Sequence, residues 1–131
     1  MTTTPVLRLV IADDEPDVLA MLEAQFSLRT GYEVVGLAHD GGEALDLVRT
    51  TRPDAVVMDL LMPDVNGFEG IALLHAEFPD IGVVAYTGVA GDFVRDDMGN
   101  RNVEIVLKSG NLSPLVDAVR RSVQAAAAER C

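Results

Sequence analysis

Five short apolar runs, each followed by a helical pattern, constrain this chain more than any other feature. They cover residues 6–12, 33–39, 55–59, 82–87 and 103–108, and all are rich in Val, Ile or Leu. Most are nearly continuous rather than alternating, as strands covered on both faces should be. Between them, Pro16 suits the first turn of a helix whose Val18, Leu19, Leu22 and Phe26 make one apolar face, with Gly31 as its stop. Asp40 can cap a second helix, which turns Ala44, Leu45 and Val48 inward and runs until Pro53. Asn66 can cap a third, with Phe68, Ile71, Leu74 and Phe78 inward and Pro79 after it. Residues 91–98 give a short fourth helix with only a thin stripe of Phe93, Val94 and Met98. Ser113-Pro114 opens the last, faced by Leu115, Val116, Val119 and Val123 and prolonged by the alanine run 125–128.

The pattern is (βα)5. It predicts an α/β fold: a single doubly wound domain with a parallel five-stranded sheet and helices on both faces, joined by right-handed crossovers. The domain is expected to span 1–131, with its core over about 6–123 and a helical tail at 124–131. In such a sheet ligands bind beyond the carboxyl ends of the strands, where the strand order reverses.

Composition narrows the function. Ten basic residues against 21 acidic ones give a net charge of −11. That field repels phosphate backbones, so direct nucleic-acid binding by this domain is not expected. No apolar run approaches the ~20 residues of a membrane span, and the first residues lack the basic and apolar regions of a secretory signal. The single cysteine, Cys131, allows no disulfide framework. A cytoplasmic location is the expectation.

At the carboxyl edge the chemistry collects. The first strand ends in Asp13-Asp14, the third in Asp59, the fourth in Thr87 and the fifth in Lys108. Singly, each has a plain structural reading: an Asp after a strand is most often a turn or cap residue, Thr87 a β-branched strand end, Lys108 a solvated rim charge. Jointly they would share one cleft. Three carboxylates there raise one another's pKa unless cations sit among them. Lys108 supplies one positive charge and a divalent ion would supply the rest. Few carboxylates supplemented by exchangeable oxygens suit Mg²⁺ better than a dedicated Ca²⁺ cage. Carboxylate, metal, hydroxyl and lysine are the parts of a phosphoryl transfer to Asp59, with Asp59 as nucleophile and Mg²⁺, Lys108 and the Thr87 hydroxyl on the phosphate oxygens.

The segments VIADDEP (10–16), MDLLMPDVNG (58–67), VVAYTG (83–88) and VLKSG (106–110) resemble the receiver domains of two-component response regulators. The likeness runs in register from about residue 6 to about 123, and is strongest to receivers that precede a helix-turn-helix DNA-binding domain. It implies the flavodoxin-like strand order 2-1-3-4-5 and a sensor histidine kinase as phosphoryl donor. By the family pattern Asp14, Asp59 and the backbone carbonyl of Leu61 ligate Mg²⁺ directly, and Asp13 acts through water. Gly67 would permit a backbone shape that other residues resist. Three departures from the pattern stand out: Ile105 where the family places an aromatic switch residue, Ser109 where it places proline, and apolar Leu61 and Val89 near the phosphate. Phosphorylation is then expected to act on residues 88–105, the surface for a homodimer or a downstream output protein.

Two other readings compete. A haloacid-dehalogenase-like phosphatase also uses a strand-end Asp, Mg²⁺, a Thr or Ser and a Lys, but it needs a second Asp at position 61, which is Leu here. A receiver-like interaction module that no longer takes phosphate would be expected to lack one of the five residues, and all are present. His39 and His75 have no companion ligands in sequence, and Gly41-Gly42 reads as a helix start, since the other glycines of a dinucleotide fingerprint are absent.

Overall fold

The computed structural model describes residues 6–62, 67–88 and 103–129. Within them lie five strands, β1 (Leu7–Ala12), β2 (Tyr32–Ala38), β3 (Ala55–Met58), β4 (Gly82–Thr87) and β5 (Glu104–Leu107). Four helices are described: α1 (Pro16–Ser27), α2 (Gly41–Thr51), α3 (Gly67–Glu77) and, last in the chain, α4 (Ser113–Glu129). The fourth helix expected at 91–98 and the Asn66 cap fall outside the described residues. All four strand pairings are parallel, in the order β2-β1-β3-β4-β5. The strand order reverses between β1 and β3, so a crevice opens beyond their carboxyl ends.

Two apolar cores form because the side chains of each strand alternate across the sheet. Val10, Ala12, Val56, Met58, Val83 and Ala85 pack with Ala44, Leu45 and Val48 of α2 and with Ile71 and Leu74 of α3. Leu9, Ile11, Ala55, Val57, Val84 and Tyr86 pack with Leu19, Leu22 and Phe26 of α1 and Leu115, Val116 and Val119 of α4. β3 and β4 are buried throughout, as their unbroken apolar runs require. The edge strands β2 and β5 are mostly half-buried, having one neighbour instead of two.

Local chemistry fixes the ends. Asp40 Oδ1 accepts the Glu43 N–H at 2.8 Å and caps α2. At the other end of α2, Arg52 takes the left-handed conformation (φ 50°), and the Arg8 guanidinium donates to the carbonyls of Thr51 (2.6 Å) and Arg52 (3.1 Å). A cation there meets the negative end of the helix dipole. One expectation needs correction. α1 ends at Ser27, before Gly31; Gly31, at φ 95°, instead forms the turn into β2, where its carbonyl accepts the Leu7 N–H at 2.8 Å. Gly67 is the first residue of α3, and the loop before it, where the likeness placed its special backbone shape, lies outside the described residues.

Candidate functional site

The sheet ladder continues one residue past several strands, and that continuation places the polar groups. Asp13 N–H donates to the Ala38 carbonyl, Asp59 N–H to the Ala12 carbonyl and Lys108 N–H to the Thr87 carbonyl, each at 3.0 Å. Asp13 (1% exposed), Asp59 (4%) and Thr87 (0%) are therefore held inside the crevice. Asp14 is exposed at its mouth, and Lys108 reaches in from β5. Thr87 shares its sheet face with Val83 and Ala85 by strand alternation. Since Ala85 pairs with Met58, Thr87 sits one residue beyond the level of Asp59.

Lys108 joins the two buried carboxylates. Its Nζ lies 2.8 Å from Asp13 Oδ2 and 3.0 Å from Asp59 Oδ2. The remaining oxygens are engaged by backbone: Asp13 Oδ1 accepts the Glu15 N–H at 2.9 Å and Asp59 Oδ1 the Leu61 N–H at 3.1 Å. Asp13 thus serves both its ordinary turn role and the cleft. Burial pushes the Asp13 carboxyl above its usual range, against the opposing pull of Lys108. Burial alone would lower the Lys108 ammonium, but its hydrogen bonds to Asp13 and Asp59 outweigh that and hold it above the ordinary lysine value. One ammonium faces two buried carboxylates, so negative charge remains in surplus and a further cation is favoured.

Carboxylate oxygens of Asp13, Asp14 and Asp59 all lie within 4.8 Å of one another. Hard oxygen donors, few in number and open to solvent on the Asp14 side, fit Mg²⁺. Leu61 is 56% exposed beside them. Glu15 was not anticipated from the sequence: its Oε1 lies 3.6 Å from Lys108 Nζ on the exposed rim. The signal for it was Glu at a helix N-cap, where shorter polar side chains are preferred. His39 pairs with Glu43 (3.0 Å) and takes no part in the acidic set.

Residues 9–120 match the response regulator receiver domain family. The chain belongs to that family. A transcriptional regulatory protein, YhcZ, of Bacillus subtilis (strain 168) is 40% identical over 81 residues, covering 62% of this chain and 38% of that protein. The response regulator MprA of Mycobacterium avium (strain 104) is 38% identical over 81 residues, covering 62% of this chain and 35% of the relative. The receiver thus spans well under half the length of these two relatives. A LuxR-family two-component response regulator from Aurantimonas sp. SI85-9A1 has the same fold with a TM-score of 0.84 at 30% identity, over 92% of this chain and 86% of that one. The chain is a signalling receiver of a two-component system, and the dehalogenase-like phosphatase reading falls with that assignment. Receivers interact with histidine kinases and bind Mg²⁺ at an acidic pocket. Among the described residues, no helix is long and apolar enough to cross a membrane.

Proposed function

We propose that Asp59 is the phosphoacceptor of this receiver and that a histidine kinase phosphohistidine is its donor. The observation that carries this reading is the Lys108 ammonium held between Asp13 and Asp59, whose carboxylates also converge with that of Asp14. In the transfer, a carboxylate oxygen of Asp59 forms a bond to phosphorus as the P–N bond of the donor breaks. Its electron pair leaves with the imidazole nitrogen. Asp59 loses its anionic charge as it becomes an acyl phosphate, so Lys108 exchanges one oxygen partner for another on the phosphoryl group. The Thr87 hydroxyl takes a further phosphoryl oxygen from its buried place at the end of β4. Asp13, Asp14, Asp59 and the Leu61 carbonyl would hold Mg²⁺, whose charge offsets that of the transferring group.

Phosphorylation is read out through residues 88–105, much of which lies outside the described residues, as a homodimer or output-protein surface. Ile105, half-buried against the α2/α3 core, replaces the usual aromatic and is stiff at χ1. Its burial should change little, so the population shift falls on the segment before it. The relatives named as a transcriptional regulatory protein and a LuxR-family regulator support a DNA-binding output outside this domain, in the cytoplasm. The acceptor assignment is tested by intact mass after incubation with acetyl phosphate. One phosphoryl group should add with Mg²⁺ and none with chelator, and equal labelling of Asp59→Ala would overturn it.

A further inference from the structure

Glu15 occupies the N-cap of α1 yet makes no side-chain capping bond, leaving unused an interaction that a shorter polar residue there would make. Its backbone is fixed from both sides: the N–H donates to Asp13 Oδ1, and the carbonyl accepts the N–H groups of Val18 and Leu19 at 3.1 Å. The side chain turns instead to the crevice, with Oε1 3.6 Å from Lys108 Nζ and the carboxylate 64% exposed at the mouth. Asp13 and Asp59 are buried beneath it. A phosphoryl donor approaching Asp59 must bring its oxygens to Lys108, and Glu15 already stands beside that ammonium with like charge to the donor.

We infer that Glu15 is a rim charge that sets donor preference, disfavouring small, highly anionic phosphodonors. The inference rests on the proposed role of Asp59. At roughly 7 Å, in the high effective dielectric of an exposed rim and with salt screening, a unit charge slows a dianionic donor about three- to eightfold. A monoanionic donor meets about the square root of that factor. A protein donor differs, because its contact surface around the phosphohistidine covers the rim and can present charge complementary to Glu15.

The test uses two donors that deliver the same group to Asp59. Acetyl phosphate, a dianion near neutral pH, breaks a P–O bond and releases acetate; phosphoramidate, a net monoanion, breaks a P–N bond and releases ammonia. Initial labelling rates are measured by intact mass with saturating Mg²⁺ for the parent chain, Glu15→Gln and Glu15→Lys. The acetyl phosphate to phosphoramidate rate ratio should rise at each step of that charge series, by about two- to threefold for Glu15→Gln, and the rise should collapse in about 1 M salt. If Glu15 only positions Lys108 or supports the fold, both donors change by one common factor and the ratio stays flat, which overturns the inference while leaving Asp59 as acceptor. Failure of the parent chain to label with either donor overturns the acceptor reading and this inference together. Thermal unfolding of each variant separates loss of fold from loss of rate, and a flat ratio in folded variants counts against the proposal.

Discussion

Replacing Lys108 with Met should destabilise the fold, and acid or Mg²⁺ should repair it. The substitution keeps the aliphatic stem and removes the ammonium bonded to Asp13 at 2.8 Å and Asp59 at 3.0 Å. Both carboxylates are almost completely buried, and stranding a buried charge typically costs about 3–5 kcal/mol. The Lys108 side chain is 22% exposed, and water at the mouth softens the penalty, so about 2–3 kcal/mol is expected. For a domain of this size that is a fall in Tm of roughly 8–12 °C. Asp13 already sits above its usual value of 3.8 through burial, and losing Lys108 lifts it further. The folded variant therefore binds more protons than the unfolded chain in the window above that value. Its stability falls as pH rises through the window and recovers as pH drops from neutral toward 4. A divalent ion replaces the missing charge, and at ten times its Kd contributes about 1.4 kcal/mol. Thermal unfolding in chelator, in Mg²⁺ and across pH reads all three effects. Equal Tm for parent and variant in chelator, or a variant whose Tm does not rise on acidification, would refute the charge accounting.

Arg8→Met should lose about 1–3 kcal/mol in urea unfolding, because the carbonyls of Thr51 and Arg52 at the end of α2 lose a charged donor; a change under half that would show the helix end to be satisfied by solvent. Gly82→Ala should cost about 1–3 kcal/mol by the same assay, since its Cβ would stand 2.6 to 2.8 Å from atoms of Ser122 on α4. Leu61→Asn should shorten the life of the phosphorylated form, because Leu61, exposed beside Asp59, is a poor orienting group for the attacking water. Each tenfold gain in hydrolysis rate corresponds to about 1.4 kcal/mol of barrier, and unchanged or slower decay counts against the shielding role of Leu61.

The parallel sheet was legible because fully buried strands write themselves as unbroken apolar runs, as in Ala55–Met58 and Gly82–Thr87; the strand order β2-β1-β3-β4-β5 leaves no such local pattern and was implied only by the likeness to receiver domains. The polar groups were legible because a strand-end position fixes where a residue lands: Asp13, Asp59 and Lys108 each continue the ladder by one hydrogen bond. Gly31 misled because glycine marks a turn without saying which element it ends. Here the helix stops at Ser27 and the left-handed residue serves β2. The helix-end role of Arg8 was not legible, because its partners, Thr51 and Arg52, lie more than forty positions away and pairings of that range leave no local pattern. Glu15 was hidden for a related reason. Its nearness to Lys108 depends on the register of β5 against β4 and on an α1 N-terminus that lacks a side-chain cap.

Asp59, and no neighbouring carboxylate, should take the phosphoryl group. An aspartyl phosphate is reduced by borohydride to homoserine, which marks the residue permanently. The chain should be incubated with phosphodonor and Mg²⁺, reduced and mapped by peptide mass spectrometry. Homoserine is expected at position 59 in the labelled sample and not in the chelator control. Reduction at Asp13 or Asp14, or label that leaves Asp59 intact, would contradict it.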